Sequence, residues 1–183
     1  MELSQAINER RSVREYRSDP VPDAVLEQVL EAARMAPSWA NSQVTRFFAV
    51  KDPAVKQLIQ EAVSKWNPAL NALGQAPIIL VAAGIRGKSG FYKGAPSNSN
   101  GDYAMFDVAL AVENAILKAR ELGLGTVLVG VFNVEKIKAA LKLPAEMDPF
   151  ILTPIGYPVS TDQFVPTRKE ISELLYWDRY EEK

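Results

Sequence analysis

The sequence predicts a central β-sheet layered with helices, and three observations point there. Helical apolar spacing alternates with short apolar runs along the chain, giving roughly four strands among the helices. One run, residues 77–83 (PIILVAA), is apolar throughout, as in a strand covered on both faces. Residues 103–122 form the most periodic helix and are apolar nearly all round its middle, which places it centrally. No repeat, low-complexity stretch or linker divides the 183 residues, so one domain over 1–183 is expected. Alternation by itself suggests a doubly wound parallel sheet.

Element by element, Leu3, Ala6 and Ile7 recur at helical spacing and predict a short helix ending near Arg10-Arg11-Ser12-Val13-Arg14. Residues 18–22 (SDPVP) make a turn, and Pro22 opens a second helix, where its missing N–H is harmless. Val25, Leu26, Val29, Leu30 and Ala33 give that helix one apolar face, and Pro37 stops it. Residues 45–51 (TRFFAVK) read as a strand, and Asp52-Pro53 starts a helix running toward Trp66. Residues 87–101, rich in Gly, Ser and Asn, read as a mobile loop. Gly123-Leu124-Gly125 ends the central helix, and 126–132 is a further buried strand. A short helix near 134–141 precedes a last strand over 150–156, and from Lys169 a helical turn and tail are expected.

Composition excludes several chemistries. There is no Cys, which removes disulfides, thiolate nucleophiles, Cys-ligated zinc and iron–sulfur clusters. There is no His, which removes the commonest general base and metal ligand and every His-containing triad. An all-carboxylate magnesium or calcium site stays open, but no acidic cluster has EF-hand spacing and no metal is expected. Lys plus Arg (21) nearly balances Asp plus Glu (22), against bulk nucleic-acid binding, although a small anion site needs only a few cations. The longest apolar stretch, residues 77–84, is too short to span a bilayer, and the first residues lack a leader pattern. A cytoplasmic protein with no membrane partner is expected. Redox chemistry, if present, would fall to an organic cofactor.

Two motifs mislead. Residues 82–89 (AAGIRGKS) nearly spell a P-loop, which would make the chain a nucleotide binder through Gly87-Lys88-Ser89. However, Ala82 stands where the first glycine is required, and a loop follows rather than a helix. Gly123-Leu124-Gly125 resembles a dinucleotide fingerprint, but Leu128 stands at the third glycine position and the order is helix to strand.

Four segments carry the chemistry. Arg10, Arg11 and Arg14 with Ser12 offer three guanidinium forks and a hydroxyl at a helix end, suited to a phosphate. Residues 36–43 (APSWANSQ) set donors and acceptors beside an indole, suited to the edge of a heteroaromatic ring. Residues 125–133 (GTVLVGVFN) form a strand leading to Gly130, where main chain can approach a ligand closely. Last comes 152–158 (LTPIGYP), followed by Pro166-Thr167-Arg168-Lys169 with a second basic pair.

Taken in order, R-R-S-x-R, P-S-x-x-N-x-Q, A-x-x-L-G-L-G and G-Y-P then R-K resemble the nitroreductase family from Arg10 to Lys169. That resemblance implies an α+β fold of three layers, with a central mixed sheet flanked by helices and a long central helix at a homodimer interface. It implies FMN between the subunits and NADH or NADPH as donor. A small acceptor such as a nitroaromatic or quinone would be reduced in ping-pong order. Arg10 and Ser12 would hold the phosphate with Arg168, Arg11 and Lys169 nearby. Arg14 would reach the pyrimidine side, where a cation stabilises the reduced ring. Pro37, Ser38 and Trp39 would come from the partner subunit, with Asn41 close by. Main-chain N–H groups of Val129 and Gly130 would face N5 and O4, so no side chain need be an obligate acid or base. Asn67 and Asn71 are candidates for a mid-chain flavin contact. Phe91, Tyr92 and Lys93 are candidates for a substrate lid. Alternatives left open are a same-fold flavin-fragmenting enzyme, a reductive dehalogenase, and a non-catalytic FMN-storage module.

Overall fold

The computed structural model describes residues 1–180, beginning with α1 (Leu3–Glu9) and α2 (Asp23–Arg34). Helix α2 starts directly after Pro22 and buries Leu26, Val29 and Ala33. A single 3-10 turn, Trp39–Asn41, leads to β1 (Thr45–Val50). Asp52 caps α3 (Pro53–Glu61): its carboxylate accepts from the N–H of Ala54 at 2.8 Å and of Val55 at 3.2 Å. This helix stops well before Trp66. A helix that the apolar spacing did not reveal, α4 (Leu70–Gln75), follows, its six residues too few for a period to register.

Strand β2 (Ile78–Ile85) is the all-apolar run. The expected mobile loop instead contains a small hairpin, β3 (Phe91–Tyr92) with β4 (Ala95–Pro96). Helix α5 (Ala104–Glu121) is the predicted central helix, followed by β5 (Gly125–Thr126), α6 (Val134–Leu141), β6 (Met147–Gly156) and α7 (Ile171–Leu174).

The main sheet has the order β1-β2-β6-β5, and all three ladders are antiparallel. The doubly wound parallel arrangement is therefore excluded. One parallel bridge, Ser12 to Thr126, extends the sheet and makes it mixed. The α+β class and its three layers hold. Strand β2 splits the core by its period of two. Ile79 and Val81 pack with Ile59, Leu73, Ile137 and Leu152 beneath α3, α4 and α6. Ile78 and Leu80 pack with Val29, Ala111, Ala115 and Ala119 beneath α2 and α5. Each fully buried Ile, Leu or Val contributes about 1.5–3 kcal/mol.

The strand expected over 126–132 is shorter than the apolar run suggests. Its ladder ends at Thr126, and only Val129 rejoins β6, exchanging two hydrogen bonds with Leu152 at 2.9 and 3.0 Å. In the register that pairs Gly125 with Gly156 and Val129 with Leu152, Val127 faces Pro154. Proline has no N–H to donate, so the ladder breaks there.

Candidate functional site

The basic turn is held by its neighbours. At the end of α1, Glu9 accepts from the guanidinium of Arg120 on α5 at 2.9 Å. Four residues on, the Val13 N–H donates to the carbonyl of Thr126 at 2.9 Å. Buried Tyr16 donates its hydroxyl to the carbonyls of Val13 (2.8 Å) and Pro154 (3.2 Å). Burial holds that hydroxyl well above its ordinary pKa, so it stays protonated. Gly125 is required by the fold: a Cβ there would lie 2.8 Å from three side-chain carbons of Val13.

Arg10, Arg11, Ser12 and Arg14 form one wall of a cleft of about 240 Å³, and the other wall comes from the far end of the chain: Gln163, Phe164, Pro166 and Arg168. Thus the structure brings together the two basic segments that the sequence singled out, 154 residues apart between Arg14 and Arg168 (168 − 14). Lys169 does not line the cleft. Gln163 and Phe164 carried no signal in the sequence.

The charges in this cleft are not neutralised by carboxylates: among the described residues, none of Arg10, Arg11, Arg14 or Arg168 forms an ion pair, whereas Arg17, Arg34, Arg86 and Arg120 each hold a carboxylate. Arg11 donates to the carbonyls of Asn8 (2.7 Å) and Arg10 (2.8 Å). Arg14 donates to Ser12 at 3.2 Å, and Arg168 to Pro166 and Thr167 at 3.2 and 3.1 Å. Each fork has five donors, so most of its capacity is unspent. Four unneutralised guanidiniums beside a hydroxyl are chemically matched to a phosphate dianion.

Pro37 and Ser38 line a different cleft, of about 210 Å³, with Arg46, Phe47 and Asp107. The single chain therefore does not bring the Pro37-Ser38-Trp39 segment to the arginine cleft. Ala40, Asn41 and Gln43 all have left-handed backbone (φ 44, 54 and 48°), a strained run for residues with side chains. Asn41 is exposed. The run is held by Asp107, which is 1% exposed and missed by the sequence reading. Its Oδ1 accepts the Trp39 N–H at 3.0 Å and its Oδ2 accepts the hydroxyl of Ser42 at 2.9 Å. A signal existed: Asp107 begins an i, i+4 row continued by Ala111, Ala115 and Ala119, all buried.

One expectation needs correction. The Val129 N–H cannot face a flavin, because it is committed to Leu152 at 2.9 Å. Gly130 next to it is exposed, and a Cβ there would only touch Ile151 at 3.5 Å. The fold itself does not demand glycine at 130. The rejection of the P-loop agrees with the structure: Ser89 is fully buried and its hydroxyl donates to Asp107 at 2.7 Å.

Asn67 is occupied in a turn, accepting the Ala69 N–H at 2.9 Å, and Asn71 is exposed on α4. Phe91 is half-buried in the hairpin, while Tyr92 is exposed with the Lys93 ammonium 5.4 Å from its ring centre. Among the described residues no group of acidic side chains could hold a metal, and no helix is long and apolar enough to cross a membrane.

Comparison with known proteins bears on this arrangement. A 5,6-dimethylbenzimidazole synthase of Rhodospirillum rubrum is 31% identical over 81% of this chain and 78% of its own. An NADH dehydrogenase of Thermus thermophilus is 27% identical over 97% of this chain and 96% of its own. An iodotyrosine deiodinase, solved with FMN and 3-iodo-L-tyrosine, is 22% identical and superposes with a TM-score of 0.80 over 98% of this chain and 100% of its own. The model of the nitroreductase family matches residues 7–157. With that match across most of its length, the chain belongs to the nitroreductase family.

Proposed function

We propose that the protein is an FMN-dependent oxidoreductase that takes electrons from NADH or NADPH and passes them to a small acceptor such as a nitroaromatic or quinone. The observation that carries this reading is the cleft of four unpaired guanidiniums with Ser12. The name of the Thermus relative supports the donor, and the FMN in the deiodinase structure, which shares the fold, supports the cofactor.

Bound FMN would supply the redox chemistry, taking hydride from the donor and returning two electrons to the acceptor in ping-pong order. The chain supplies binding and orientation. Arg10, Ser12 and Arg168 hold the phosphate, with Arg11 beside them. Arg14, further along the same wall, lies toward the pyrimidine side and stabilises negative charge there. Main chain at Gly130 approaches the ring closely, a role that passes to it from Val129. Pro37, Ser38 and Trp39, with Asn41, reach the flavin of a second copy in a homodimer. Exposed apolar side chains after residue 158, among them Phe164 (84%) and Trp177 (80%), support such a partner.

The test is the visible absorption spectrum of the purified protein before and after anaerobic NADH or NADPH. A flavin spectrum that bleaches supports the reading. Flavin that stays oxidised with both donors favours storage, and a protein that takes up no added FMN overturns the proposal. The likeness to a dimethylbenzimidazole synthase favours one second reading, flavin fragmentation. Re-exposure to air separates the two: flavin absorbance returns for an oxidoreductase and is lost for a fragmenting enzyme.

A further inference from the structure

Asp107 receives more hydrogen bonds than any other side chain described above, and its donors come from two separate loops. Trp39 N–H meets Oδ1 at 3.0 Å, while the hydroxyls of Ser42 and Ser89 share Oδ2 at 2.9 and 2.7 Å. Among the described residues it forms no ion pair. It lies in the first turn of α5, where the helix dipole favours a negative group. A buried carboxylate without a cation depends on such donors, because it can only accept.

Both donor loops have backbone that needs holding. Ser42 lies within the left-handed run Ala40, Asn41 and Gln43, and Ser89 lies between Gly87 and Gly90, which have φ of 74 and 82°. Ser89 is fastened twice, since its carbonyl also accepts the Tyr103 N–H at 3.0 Å. Loss of either serine leaves Oδ2 with one donor, and a buried carboxylate short of a donor is held less firmly for the other loop as well.

We propose that Asp107 is a positioning residue that ties the Pro37-Ser38-Trp39 segment and the 87–101 hairpin into one unit. The ring-contacting segment and the acceptor-facing hairpin, with Phe91, Tyr92 and Lys93, are then set together. The functional half of this proposal rests on the flavin reading above, whereas the coupling itself does not. No contact between Asp107 and the flavin is needed. Its effect is carried by the two serines.

Amide hydrogen exchange on the full chain without FMN tests the coupling. Ser89→Ala should speed exchange in residues 37–43, and Ser42→Ala in residues 87–101, by about tenfold each, the scale of one lost hydrogen bond to a charged group. Exchange in β2 should stay unchanged, which separates coupling from general loosening. In the FMN-loaded enzyme, Ser89→Ala should raise the acceptor KM about tenfold while kcat stays within about twofold. Asp107→Asn, which keeps one oxygen for Trp39, should fall between wild type and Asp107→Ala. Exchange that rises only in the mutated loop overturns the coupling, and an acceptor KM that does not move overturns its functional half. Exchange that rises in both loops of a protein that takes up no FMN supports the coupling and overturns the flavin reading alone.

Discussion

The carbonyl of Thr126 accepts the N–H of Val13 at 2.9 Å, alongside the parallel bridge between Ser12 and Thr126. This bond fixes the basic turn to the sheet at the last residue of β5. Arg10 through Arg14 are therefore carried by the sheet edge. Their positions depend on Gly125, whose missing side chain lets Val13 approach.

Gly125→Ala should accordingly destabilise the protein by about 1–3 kcal/mol, because the added carbon meets a buried β-branched side chain with no room to yield. Gly130→Ala should behave differently. Its Cβ meets only Ile151 at ordinary contact distance, so stability should change by less than about 0.5 kcal/mol. FMN affinity should nevertheless fall about tenfold, ~1.4 kcal/mol, if main chain packs on the ring. Thermal melts with FMN titrations on both variants check the contrast.

Arg14 and Arg168 should separate when each is changed to alanine. Arg168→Ala should weaken FMN binding about tenfold or more, the scale of a lost charge-assisted hydrogen bond. Arg14→Ala should instead lower the two-electron reduction potential of bound flavin by roughly 30 mV or more, with a smaller loss of affinity. Fluorescence titration and a dye-coupled potential measurement decide it. Equal effects on both quantities would refute the division of roles.

Tyr16 makes stability depend on pH at the alkaline end. Burial raises its pKa in the folded protein above the ordinary value near 10. Below that value both states hold the proton and the contribution is complete. Above it the unfolded chain releases the proton first, so stability should fall as pH rises past about 10. Tyr16→Phe should flatten that fall. At neutral pH it should cost about 1–3 kcal/mol by leaving the carbonyls of Val13 and Pro154 without their donor. Denaturant melts across the pH range give both numbers.

Sedimentation equilibrium of the FMN-loaded protein should give about twice the chain mass of 20.2 kDa. Removing the chain after residue 170 should shift the balance toward monomer, since Ile171, Leu174 and Trp177 are exposed in a single copy. A monomer that keeps its FMN at full affinity would refute the shared site.

The cleft's cations were legible in the sequence because a guanidinium is chosen for what it binds. Arg10, Arg11, Arg14 and Arg168 announce an anion wherever the fold puts them. Gln163 and Phe164 were not legible, as their place in the wall is set by how the tail returns. Strand positions were readable from β2 and β1, but the antiparallel order was not, because pairing is decided between segments far apart in the chain. Pro154 could have warned that the strand after Thr126 would be cut short. Asp107 hid in plain view, since an acid on a helix usually means water, and only its row of buried alanines says otherwise. Ser89 misled for the opposite reason: its neighbours imitate a motif whose backbone it does not adopt.

The unpaired guanidiniums have a consequence for how much of the protein persists. Crowded like charges strain the folded chain until an anion joins them, and an anion that binds only the folded form adds RT ln(1 + [L]/Kd) to its stability. At a hundredfold excess over Kd that is about 2.7 kcal/mol, a large share of a typical folding free energy. If that anion is the phosphate of FMN, as proposed, chains without it would be the less stable fraction.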